Sequence, residues 1–502
     1  MTLEEPLENP HFGARQSTAD DFDGLDFRSE VVLFTRNVKI QASLDDISYA
    51  LQDAWGCRVL VADFFERDWS HQKGHLELDY VEIYNCSQRQ TEKPALSFEY
   101  ARAGESSVTN SAIHHGQGAG VHVIDSRQVT LSNNIVYHFF EKGLKVEKSF
   151  FVTIDNNRIG HIGHSWDDQF TYFVWEGFKG GAVALSGSDL VVRDNVAFGA
   201  NYYGFEYNAL KCDDRLTPTT VFENNVAHSI AGYGFIALPS GRGGECTEVS
   251  YLKGYKNKLA TVVATNNELR CHDLVTAGSG FGIACMGQGG GDVKVYDSVI
   301  YGDKGDPNED FGNCFDSIGI LMSTFGGHAS GAPKVAKWPK MLAGGGSHGT
   351  SLYKDILFKG LDGETKCGKK QTAIVTNFLH SDYHPIGQFE FMEFRDTREE
   401  NIIHMSSPSP GWANPDDCGP FTCTGLYNTI AKFERTSYTG SPNALGLPTR
   451  FQVIPDNKES VSSQVIPRCE DKRAVWNGYI CENQNLGVLL VDSRDPDRMT
   501  RN

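Results

Sequence analysis

The chain of 502 residues lacks any apolar run near the roughly 20 residues needed to cross a bilayer as a helix. It also lacks an N-terminal leader pattern: MTLEEPLENPHFG has no basic stretch and no apolar core. Read alone, that start favours a cytosolic chain. No CxxC pair occurs among the 12 cysteines, which argues against a zinc ribbon or a thioredoxin-like redox site. Basic residues are outnumbered, 46 against 64 acidic ones, for a net charge of −18. A surface that acidic repels phosphate backbones, so nucleic acid and anionic membranes are not expected partners.

What is present describes a soluble, turn-rich globular chain: 40% hydrophobic residues, 22% charged, and 52 glycines. Its central third repeats. SVTNSAIHH (107–115), TLSNNIVYH (130–138), TIDNNRIGH (153–161), VVRDNVAFG (191–199), VFENNVAHS (221–229) and VATNNELRC (263–271) share one pattern, with KVYDSVIYG (294–302) a weaker copy. Apolar alternation leads into a polar pair, whose second member is Ser111, Asn134, Asn157, Asn195, Asn225, Asn267 and Ser298 in turn. The intervals are 23, 23, 38, 30, 42 and 31 residues, so a unit of 23 carries insertions. Nine residues after the polar pair come Gly120-Val121, Gly143-Leu144, Gly204-Phe205 and Gly234-Phe235.

A fixed offset of this kind predicts a right-handed parallel β-helix. Each unit is one coil, coils stack about 4.8 Å apart, and equivalent residues form vertical rows. Asn134, Asn157, Asn195, Asn225 and Asn267 are the expected structural ladder, since asparagine can bond the coils above and below and tolerates a left-handed corner. A β-sandwich with asparagine turns would not keep the offset. Three regions are expected: an N-terminal segment at 1–28, the β-helix at 29–340, and a β-rich extension at 341–502. The last comprises either irregular coils or a separate subdomain. Cys418/Cys423 and Cys469/Cys481 close short loops that an oxidising compartment could bridge, although buried thiols fit equally well.

SEVVLFTRNVKIQ (29–41), the coils from GHLELDYVEIYNC to HSIAGYGF, and WANPDDCGPFTCTGLYN (412–428) carry a family resemblance. With WNGYIC (476–481) and VLLVDSRDPD (488–497), they resemble the β-helix region shared by fibrocystin, fibrocystin-L and the CEMIP-type cell-surface hyaluronidases. The two C-terminal motifs are more similar to the fibrocystin-L branch. The resemblance implies an extracellular or cell-surface protein, a shift away from the cytosolic reading. It also implies disulfides, interest in the sequon Asn85-Cys86-Ser87, and a chain that is a fragment or a reduced relative of a larger protein.

His115, His138 and His161 fall four residues after the polar pair in successive units. Stacked in register they would form an imidazole column able to supply an acid, a base or a metal ligand, with Asp168 entering the next insertion. Lys142, Lys145 and Arg158, with Trp166 and Trp175 from that insertion, would hold a glycan. The competing reading is a corner ladder without chemistry. Asp125, Asp155, Asp194, Glu223 and Glu141 show no spacing that pairs two carboxylates for glycoside cleavage. DKGDPNED (303–310) resembles a calcium loop but misplaces its glycine and lacks the closing glutamate. No metal site or cofactor is therefore expected, and a polar turn is the simpler account. Two functions follow from these features: a rigid adhesion, receptor or matrix ectodomain whose partner is a glycan or another cell-surface protein, or a polysaccharide-depolymerising glycoside hydrolase.

Overall fold

The computed structural model describes residues 25, 30–42, 56–89, 91, 93–163, 180–207, 220–237, 246–266, 268–287, 292–302, 317–322, 351–362, 371–376, 386–405, 430–439, 446–455, 468–482, 484 and 486. These form a right-handed parallel β-helix with three faces. The first face stacks twelve strands, from Val59–Val61 through Leu96–Glu99, Val121–Ile124 and Leu144–Phe150 to Ile403–Met405. The second begins with Glu77–Asp79, Ser106–Thr109, Val129–Ser132 and Thr153–Asp155. The third runs through Val38–Gln41, Val81–Tyr84, Ala112–Gly116, Ile135–Phe139, Arg158–Ile162, Val196–Ala200 and Asn225–His228. Alternate residues enter the bore. Val108, Leu131, Ile154, Val192 and Phe222 line it from the second face, and Ile113, Val136, Ile159 and Ala197 from the third. Each such valine, leucine, isoleucine or phenylalanine contributes about 1.5–3 kcal/mol of apolar burial.

Corners are made by single residues in the left-handed region. Tyr80, Asn110, Asn133, Asn156, Asp194 and Asn224 hold φ between 50° and 57° where the second face turns into the third. The next residue points inward and builds the predicted ladder. The Ser111 main-chain N–H donates to Asn134 Oδ1 at 2.9 Å, Asn134 N–H to Asn157 Oδ1 at 2.9 Å, Asn157 N–H to Asn195 Oδ1 at 2.9 Å, and Asn195 N–H to Asn225 Oδ1 at 3.2 Å. The ladder stops there. Strand register places Leu252 beside Asn225 and then Leu274, with Ser298 resuming the polar column and accepting from the Leu274 N–H at 3.3 Å. Asn267 itself lies outside the described residues, and its coil turns this corner at Asp273–Leu274, where Asp273 has φ 52°.

Parallel pairing crosses residue 340. Val293–Tyr301 pairs in register with Ser351–Lys359, and parallel strands continue to Ser437–Thr439. Among the described residues, 341–439 thus continue the coils. Beyond them the chain reverses: Arg450–Pro455 pairs antiparallel with Ile430–Glu434, and Gly478–Glu482 antiparallel with Arg450–Pro455. This cap covers the edge an open stack would leave unpaired. Trp476 is fully buried in it, donating from Nε1 to the Glu399 carbonyl at 2.7 Å, and Cys469–Cys481 bridges it. Cys57–Cys86 ties the first coils and Cys271–Cys285 a middle one. Cys418 and Cys423 lie outside the described residues. Among those residues, no helix is long and apolar enough to cross a membrane.

The candidate site: a histidine column under an N-terminal strap

The third face ends in a second left-handed corner, and its occupants are Asn85, His115, His138, His161, Gly199, Ser229 and Lys256. Histidine, asparagine and glycine suit that backbone, which accounts for the spacing of the three histidines. They do stack. His115 and His138 ring centroids lie 4.8 Å apart with an interplanar angle of 14°, and His138 and His161 lie 4.6 Å apart at 76°. Beside them, one residue earlier in each coil, runs Tyr84, His114, Tyr137, Gly160, Phe198, His228 and Tyr255. Asn85, the sequon residue, is 1% exposed and its side-chain amide has no partner among the described residues, so the folded chain has no room there for a glycan.

Part of this row is covered by a segment that local sequence patterns do not reveal. Residues 30–37 run along the stack on the outside of the third face. Phe34 stacks on His114 at 4.4 Å and meets Tyr137 at 5.2 Å, while Glu30 Oε1 lies 2.7 Å from His228 Nε2. Lys39 pairs with the buried Glu82 at 2.8 Å, and Glu82 lies 3.4 Å from His114 Nε2. Burial holds the His114 pKa down at about 4, helped by neighbouring His115 and opposed by Glu82. His115 is also shifted down, by burial and then by Lys39. Near pH 7 the His114 imidazole is neutral, with one histidine Nδ1 donating to the other across 2.7 Å.

A pH dependence follows. Because the folded pKa lies below the unfolded value, the contribution of His114 is fully present above about pH 6.5 and lost as pH falls toward 4. That depression corresponds to a loss on the order of 3 kcal/mol. Urea unfolding at pH 7.5 and 4.5 is expected to show that much less pH sensitivity in His114→Phe than in the parent chain. An unchanged slope would remove His114 as its source.

The other candidates are dispersed. Lys145 belongs to the first face, where it pairs with Glu147 at 2.7 Å, and Lys142 lies on the turn leading into it. Arg158 starts its third-face strand and His161 lies near the other end, so strand geometry separates them by about 10 Å. The predicted gathering of Lys142, Lys145 and Arg158 around the histidines is thus not formed. Asp125 pairs with Arg102, and Asp155 with Arg193 at 3.2 Å. Asp168, Trp166, Trp175 and the 303–310 loop lie outside the described residues.

Arg158 instead borders a groove of about 530 Å³ between the strap and the corner row, lined by Val31–Leu33, Thr35–Asn37, Tyr80, Asn133–Ile135, Asn156 and Arg158. The first residues of their Asn-Asn pairs, Asn133 and Asn156, point outward and form this wall, a signal that the same repeat contained.

The stack, its ladder and its capped end define a right-handed parallel β-helix protein. A model described as "Right handed beta helix region" matches residues 97–300. The whole chain is similar to human Fibrocystin-L, at 20% identity over 581 residues, and spans 13% of that protein's length.

Proposed function

We propose that the chain is a rigid β-helix scaffold of an extracellular or cell-surface protein, acting in adhesion, reception or matrix contact. The observation that supports this most is the use of its candidate chemistry in its own wall. The histidines are corner residues, His114 lies under Phe34, and Glu82 is committed to Lys39. Similarity to Fibrocystin-L along the whole chain points the same way, and the three disulfides among the described residues suit an oxidising compartment. A stack of in-register coils holds surface features at fixed separations, which is what a display scaffold requires.

The alternative, a hyaluronidase-like glycoside hydrolase, gains nothing from the groove. Its lining offers arginine, asparagine and tyrosine but no carboxylate or imidazole. Purified chain incubated at high loading with labelled polysaccharides, hyaluronan included, is expected to leave their length distribution unchanged. Shortened products that disappear in His138→Ala would overturn the scaffold reading.

A further inference from the structure

The strap has strand alternation without a strand partner among the described residues. Val32, Phe34 and Arg36 are half-buried against the wall, while Val31, Leu33 and Thr35 are exposed. Among the described residues, no main-chain N–H from Val31 to Thr35 donates a hydrogen bond. These free amides border the groove, while Arg36 Nη1 holds the Leu33 and Thr35 carbonyls at 2.7 Å and 3.0 Å, and a second feature lies beside them. Arg36 donates to the carbonyls of Asn110 at 2.8 Å and Leu33 at 2.7 Å, and Arg158 to Asn156 Oδ1 at 3.1 Å. Neither guanidinium meets a carboxylate among the described residues. In a chain of net charge −18, two cations left without counter-charge in one groove favour an acidic ligand. The far wall, Tyr80 to Asn156, spans three coil steps, or about 14 Å, the length of roughly four extended residues.

We propose that this groove takes an extended acidic peptide segment of a partner protein, which pairs as an added strand along the strap. Carboxylates of the segment meet Arg36 and Arg158, and an apolar side chain rests against exposed Tyr80. Main-chain pairing supplies affinity and the arginines supply selectivity, the usual division of labour in strand addition. An acidic sugar chain could meet the guanidinium groups but would leave the row of strap amides largely unused. The inference does not depend on where the chain is displayed.

The probe is a fluorescein-labelled, N-acetylated octapeptide of alternating valine and glutamate, titrated with the full chain and followed by anisotropy. Saturable binding is expected, at least tenfold weaker for Arg158→Glu. The same loss is expected when lysine replaces glutamate in the peptide, and when alternate peptide amides are N-methylated. Circular dichroism checks the fold of the variant, with Arg158→Gln as the milder replacement. Equal binding of the lysine peptide, or indifference to N-methylation, would overturn the proposal. So would an absence of peptide binding, including the case in which a hyaluronan tetrasaccharide binds in an Arg158-dependent way and reassigns the groove to acidic glycans.

Discussion

Replacing Asn195 by alanine is expected to cost about 4 kcal/mol, from two Asn157 donors that lose their acceptor and two carbonyls that each lose a donor. Asn195 Oδ1 accepts from both the main-chain N–H and the Nδ2 of Asn157, at 2.9 Å and 3.0 Å. Its own Nδ2 donates to the Ile154 and Arg193 carbonyls, each at 2.9 Å, and contacts Asn225 Oδ1 at 3.0 Å. The residue is completely buried, so no bulk water replaces those bonds. Alanine removes all of them and leaves the Asn157 N–H without an acceptor. Urea unfolding followed by circular dichroism reads the loss. A cost below about 1 kcal/mol would mean that the ladder is ornamental and that the apolar bore alone sets stability.

Trp476→Ala is expected to cost about 3–5 kcal/mol, the range for emptying a buried indole site. Trp476 ends an aromatic row in which Tyr353, Phe389, Phe433 and Phe451 stack at 4.8, 4.7 and 4.6 Å, with Phe451 to Trp476 at 6.2 Å. The loss should be local, because each coil of a solenoid touches mainly its neighbours. Amide exchange is expected to accelerate in Ile430–Glu434 and Arg450–Pro455 and stay unchanged around Asn157 and Asn195. Trp476→Phe keeps most of the packing and loses the bond to Glu399, so about 1 kcal/mol is expected. Uniform acceleration along the whole stack would contradict a locally coupled cap.

Where coils follow one another without insertion, their geometry was legible in the amino-acid order. His115, His138 and His161 are 23 residues apart, so equal spacing meant equal height and the rings meet as expected. The same logic does not carry across the 42 residues from Asn225 to Asn267, which lies outside the described residues. An intervening coil turns its corner at Tyr251–Leu252, and Leu252 takes the place beside Asn225. Insertion length alone does not say which corner it lengthens. The C-terminal coils were ambiguous for a related reason. Ile356, Met392 and Thr436 occupy the ladder column there, so the polar mark is absent or reduced although the backbone turn persists at Asp355, Phe391 and Arg435.

The sequence by itself determined the coil and its ladder, because period, inward polarity and left-handed corners are local properties written into every repeat. Tertiary structure alone decided what the outer wall does with its histidines. Glu30 meets His228 across 198 positions, and Arg36 meets Asn110 across 74. Contacts of that range leave no periodic trace, since the strap runs along the stack and touches several coils only once each. The physical reason is the same for the groove: its two walls belong to segments that only winding brings together.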